Sequence, residues 1–172
     1  LRRGRVCDCS HDAGVLHCAC SAGGVRGMRE CEEVAVQSVL VVDEDRGTAR
    51  LVADVLERQH YRILVARDGT DVWPVIEQTP IELVIVELLV PGMNGWEVIR
   101  RLRHRFWPNL LPVAPDCKII AICRRADVET AAFARRLGAN AFLSKPLSRT
   151  GLVHTVRSVL AGDAAPFARS AH

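Results

Sequence analysis

Six side chains carry the chemistry this sequence offers, and each stands where an apolar run stops. Val39 to Val42 leads into Asp43, Glu44 and Asp45; Leu83 to Val86 leads into Glu87; Lys118 to Ile122 leads into Cys123; Ala141 to Ser144 leads into Lys145. Converging carboxylates suit a hard cation such as Mg²⁺, which takes oxygen ligands and keeps waters for a phosphate to replace. A lysine opposite such a cation suits a phosphoryl group. The chemistry on offer is metal-assisted handling of phosphate, if the fold brings four segments of chain to one place.

The elements between these residues supply that fold. The runs at 39–42 and 83–86 are short, continuous and β-branched, which reads as strands buried on both faces. Weaker strands follow at Tyr61 to Ala66, Lys118 to Ile122 and Ala141 to Ser144. Helical spacing falls between them, over about Thr48–Gln59, Thr70–Gln78, Gly95–His104, Asp127–Leu137 and Ser148–Leu160, with Pro74 forcing a kink or a late start in the second. Five strands alternating with five helices predict an α/β, flavodoxin-like (βα)5 doubly wound parallel sheet of strand order 2-1-3-4-5. In that order the first and third strands are neighbours at the switch point, so Asp43, Glu44 and Glu87 converge and Lys145 reaches in from the fifth.

From about Ser38 to Leu160 the chain resembles the response-regulator receiver domain of bacterial two-component signalling. VLVVDED resembles that family's acidic-pair strand, LVIVELLVPGMNGWEV its phosphoacceptor strand and loop, and FLSKPLS its Lys-Pro signature. The interval from Cys123 to Lys145 fits as well. The resemblance implies a role for each residue. Asp43 and Glu44 are the pair that holds Mg²⁺, Glu87 occupies the phosphoacceptor position beside them, and Leu89 lends the metal a backbone carbonyl. Cys123 and Phe142 stand at the switch positions, and Lys145 matches the family's lysine. A cis Lys145–Pro146 bond is also implied, with a histidine kinase or other signalling protein as partner. An effector or a second copy would meet the face of the fourth helix, fifth strand and fifth helix, near Arg135, Phe142 and Arg157.

The departures from the family pattern bear on mechanism. Glutamate is one methylene longer than the expected aspartate, displacing the carboxylate by on the order of 1 Å, enough to spoil an in-line attack. It brings negative charge toward the phosphoryl position, though as one charge rather than about two. Cys123 offers a weak donor where a hydroxyl is usual. The expectation is a stand-alone, non-enzymatic receiver whose output is protein binding and whose phosphorylation is lost or weak. A rival reading is a Mg-dependent phosphotransfer or phosphatase enzyme using Asp43 on a similar sheet, with Asp45 as a second acid two residues on. Plainer roles compete residue by residue: the acids at 43–45 start a helix, the Cys123 thiol is inert packing, and the basic run at 100–105 is a solvated helix end.

Composition narrows the class. With 172 residues, 49% of them hydrophobic and 25% charged, the chain has material for one full core. A net charge of +3 gives no argument for nucleic acid. No apolar run reaches the ~18 residues of a membrane span, and no export signal leads the chain. Seven cysteines, an odd number, then predict reduced thiols in a cytoplasm. The expected organisation is a Cys-rich disordered extension over 1–37, the receiver over 38–161 and a flexible tail over 162–172. Cys7, Cys9, Cys18 and Cys20, with His11 and His17 nearby, form C-x-C pairs on a short loop. That spacing is weak for zinc, which is not expected there. The chain opens on Leu, which makes Met28 an alternative start, and no second domain is read after Leu160.

Overall fold

The computed structural model describes residues 9–12, 15–18, 36–103, 117–124, 127–163 and 167–168. The chain divides into two units, Leu1–Ala35 and Val36–His172. In the first, strands Cys9–Asp12 and Val15–Cys18 pair antiparallel, with Cys9 opposite Cys18. The sequence reading places no element here, because two four-residue strands are too short to set up a period. Of the zinc candidates, Cys7 and Cys20 lie outside the described residues, as do the side chains of Cys9 and Cys18.

The second unit alternates strand and helix: β1 (Ser38–Val42), α1 (Arg46–Glu57), β2 (Arg62–Ala66), α2 (Val72–Gln78), β3 (Leu83–Glu87), α3 (Gly95–Arg103), β4 (Lys118–Cys123), α4 (Val128–Arg136), β5 (Ala141–Ser144), α5 (Arg149–Ala161) and β6 (Phe167–Ala168). All pairings are parallel, in the order β2-β1-β3-β4-β5-β6. The first five strands have the 2-1-3-4-5 order expected from the sequence. β6 is an addition where a flexible tail is expected. It pairs Phe167 and Ala168 with Phe142 and Leu143, using the free backbone edge that β5 otherwise presents.

Alternation along the inner strands divides the core in two. Leu40, Val42, Val84, Val86, Ile119 and Ala121 pack toward α2, α3 and α4. Val39, Val41, Leu83, Ile85, Ile120 and Ile122 pack toward α1 and α5. Each such buried side chain contributes about 1.5–3 kcal/mol relative to exposure, which fixes β1 and β3 side by side and so fixes the ends that carry the acids. α1, α4 and α5 start on side-chain caps: Asp45 accepts from Gly47 N, Asp127 from Thr130 N and Ser148 from Gly151 N. α2 starts late, leaving Pro74 in its first turn, where a missing N–H costs no helical bond. Among the described residues no helix is long and apolar enough to cross a membrane.

Candidate functional site

The ladder positions the site. Asp43 follows β1, its N–H extending the pairing to Ala66 O at 3.0 Å, and Glu87 ends β3 opposite Ile122 of β4. Lys145 follows β5, with its N–H on Cys123 O at 2.9 Å, and the Lys145–Pro146 bond is cis. Gly95 closes the site from behind. A Cβ there would lie 2.2 Å from Glu87 O, so only glycine lets α3 begin against the end of β3.

These elements bring three of the expected side chains together. Lys145 Nζ lies 2.7 Å from Asp43 Oδ2 and 2.8 Å from Glu87 Oε2. The remaining oxygens are taken by the protein's own loops: Asp43 Oδ1 accepts Asp45 N–H at 2.9 Å, and Glu87 Oε1 accepts Leu89 N–H at 3.2 Å. Burial is nearly complete, with Asp43 1% and Glu87 5% exposed. Burial raises the Asp43 carboxyl above its ordinary value, more than its bond to Lys145 lowers it. For Lys145, burial alone would lower the ammonium, but Asp43 and Glu87 together outweigh it and raise it.

The other expected residues stand apart from this cluster. Glu44 is exposed, because neighbours along an extended chain point to opposite sides. Leu89 is 65% exposed and meets Glu87 through its amide. Cys123 and Phe142 are both buried in the layer of α2, α3 and α4. Arg157 is turned to α1, where its guanidinium donates to Gln59 Oε1. That corrects its expected place on a face with α4, and the burial of Phe142 likewise removes it from the surface of that face. Arg135 on α4 remains exposed.

Asp45, one of the acids read as able to start a helix, caps α1 and lies 4.0 Å from Arg124, the residue after β4. One contact escaped the sequence reading. The loop after β2 packs on the loop after β3: Gly69 N–H reaches Pro91 O at 3.4 Å, and a Cβ on Gly69 would lie 1.8 Å from Met93 O. The signal for that contact was the glycine in each loop, but glycines only mark turns until the strand order makes the loops neighbours.

Chemically, the arrangement is two buried carboxylates bridged by one internal ammonium, which offsets one of their two charges. Among the described residues no group of three or more His, Cys, Asp or Glu side chains could hold a metal ion.

Comparison with known proteins agrees with the fold. The family model of the response regulator receiver domain matches residues 39–157. The response regulator GtcR of Aneurinibacillus migulanus is 31% identical over 124 residues, covering 72% of this chain and 48% of that protein. The protein PilH of Pseudomonas aeruginosa is 28% identical over 125 residues, covering 72% of this chain and 98% of PilH. The chain thus spans about half of one relative and nearly all of the other. A putative response regulator from Chloroflexus aurantiacus superposes with a TM-score of 0.66 at 25% identity, over 73% of this chain and 98% of that one. A CheY-like receiver domain protein from Methanospirillum hungatei, at 22% identity and a TM-score of 0.65, shares the fold over 74% of this chain and 96% of its own. The chain belongs to the response regulator receiver domains of two-component signalling.

Proposed function

We propose that this receiver is held in one charge state by Glu87, that its phosphorylation is lost or weak, and that its output is binding to a signalling partner. One observation carries the reading: Lys145 Nζ is shared between Asp43 and Glu87 at 2.7 and 2.8 Å. Glu87 stands at the phosphoacceptor position, and both its oxygens are engaged, one by Lys145 and one by the Leu89 amide. A carboxylate so held is poorly placed to attack phosphorus in line. The Cys123 thiol and Phe142, at the switch positions, lie packed in the core, and a thiol is a weak donor to a phosphoryl oxygen.

Receiver domains generally bind Mg²⁺ at this place. Here Asp43 and Glu87 already share a protein cation, and Glu44 is exposed. As arranged, Asp43, Glu44, Glu87 and the Leu89 carbonyl do not make a Mg²⁺ site. The enzyme reading fares worse, since Asp43 is held by Lys145 and the Asp45 N–H, and Asp45, the second acid that reading needs, caps α1 instead. Turnover of a generic phosphate ester is expected at background.

The test is intact mass after incubation with acetyl phosphate and Mg²⁺, for wild type, Glu87→Asp and Glu87→Gln. A phosphoryl increment on the aspartate variant alone is the expected result. An increment on wild type that Glu87→Gln abolishes would overturn the reading and restore an ordinary switch.

A further inference from the structure

We propose that the groove between α1 and α5 docks an acidic amphipathic helix of a partner protein. The cleft measures about 680 Å³ and runs along α5 from Arg149 to Asp163 just beyond its end, against Val55 of α1 and Arg58 and Gln59 just after it. Arg58, Arg149 and Arg157 bring three guanidiniums to it, against the one carboxylate of Asp163. Among the described residues none of these three arginines pairs with a carboxylate, and Arg157 is met only by the neutral amide oxygen of Gln59. Arg100 and Arg101 of α3 are a contrast, since Glu97 neutralises both at 2.7 Å.

Spacing says what would fit. Arg149, Val153 and Arg157 follow one another at four-residue intervals, so they share a face of α5, with the two charges about 12 Å apart along the axis. Val153 and the buried Val55 give the groove an apolar floor between the charges. The complement is a helix with two carboxylates eight residues apart and an apolar residue midway.

Other occupants match less well. A second copy related by a two-fold axis would set these arginines against themselves. A single-stranded nucleic acid would find charge but no Phe, Tyr or Trp to stack on among the described residues, only the imidazole of His154. The Arg58 end of the groove is remote from the carboxylate cluster along α1, while the Arg149 end follows Lys145 by four residues. Arg58 is 13 residues beyond Asp45, about 20 Å along the helix. Docking there stands whether or not Glu87 accepts phosphate.

The probe is a fluorescein-labelled, alanine-rich helical peptide with Glu at its first and ninth positions and Leu at its fifth, titrated with the full chain by fluorescence anisotropy. Saturable binding is expected. It should weaken about tenfold or more in Arg149→Glu/Arg157→Glu, and likewise on raising salt from about 0.05 to 0.5 M. Val153→Asp should weaken it with the arginines intact, whereas Arg135→Glu/Arg136→Glu on α4 should leave it within about twofold. If charge reversal disturbs folding, read by circular dichroism, Arg149→Gln/Arg157→Gln carries the same test. Absence of saturation at millimolar protein overturns the proposal, and so does equal loss from the α4 pair. It also fails if oligothymidylate displaces the peptide, or if wild type sediments as a dimer that the Arg149/Arg157 reversal dissociates.

Discussion

At the carboxyl end of the sheet Lys145 is buried between two carboxylates, whereas at the amino end Arg103 makes contacts of the same length to neutral acceptors only. Arg103 donates Nε to Gly138 O, Nη1 to Cys117 O and Nη2 to Asn140 Oδ1, each at 2.7 Å. Its planar fork thereby ties the carboxyl end of α4 to the starts of β4 and β5, and the α4 terminus itself favours a cation. Asn140 extends the tie, its Oδ1 also accepting Ile119 N–H at 2.8 Å. The two ends solve one problem, a cation out of water, by different means. Where the partners are charged, the structure depends on their ionisation. Where they are neutral, it does not.

The largest expected effect breaks the charged end. Lys145→Met leaves Asp43 and Glu87 buried as like charges, and removing one partner of a buried ion pair costs about 3–5 kcal/mol. Guanidinium chloride unfolding at pH 7 measures it. Burial already raises the Asp43 carboxyl, and losing Lys145 raises it further, so the deficit should shrink as the pH is lowered toward 4. Wild type has the alkaline counterpart. Because the folded Lys145 value is raised above 10.5, its contribution is complete below pH 10.5 and disappears as the pH climbs through the folded value. A deficit indifferent to pH would mean that Lys145 acts through packing alone, and the comparison would collapse.

Breaking the neutral end should cost less. Arg103→Met takes the donor from three oxygen acceptors, two of them backbone carbonyls at element ends, while Asn140 Oδ1 keeps Ile119 N–H, for about 2–3 kcal/mol. Burial lowers the guanidinium below its ordinary value, yet an arginine stays charged across the working range, so the loss should be the same at pH 5 and pH 9 in urea unfolding. Arg103→Lys should recover little, since a single ammonium cannot span three acceptors that a fork reaches. Full recovery by lysine would show that charge near the α4 terminus is what matters there.

The sequence shows these two ends unequally. β1, β3 and β4 are apolar runs, the acids and the lysine terminate their runs, and the strand order follows from alternation of strand and helix. The cluster at the carboxyl end was therefore legible down to Asp43, Glu87 and Lys145. What was not legible is direction: Glu44 is as acidic as Asp43, but the one-residue step turns it to solvent. Arg103 was lost in a basic run read as a solvated helix end, because its partners lie 14 to 37 residues away and meet it only once β4 and β5 are in place. Arg157 was set on the wrong side of α5 for a similar reason. A side chain four residues along a weakly amphipathic helix can face either neighbour until packing decides. β6 and the amino-terminal hairpin were too short to leave a pattern.

The smallest expected effect sharpens the comparison by removing burial. Glu97 on α3 holds Arg100 Nε at 2.7 Å and Nη2 at 2.8 Å, and Arg101 Nε at 2.7 Å, lengths no different from those at Lys145 or Arg103. The two guanidiniums hold its carboxyl down to about 2. Yet the Arg100 side chain is 53% exposed, so water competes for every one of these bonds and salt screens them. Glu97→Gln should therefore shift the unfolding midpoint least of the three variants, and its difference from wild type should fade in about 1 M salt. The sign is fixed by the depressed value: Glu97 contributes above pH 4.5, and that contribution is lost as the pH falls from there through about 2. If Glu97→Gln instead rivalled Arg103→Met, contacts of one length would be worth the same with or without water around them. Burial would then not be what separates the two ends of the sheet.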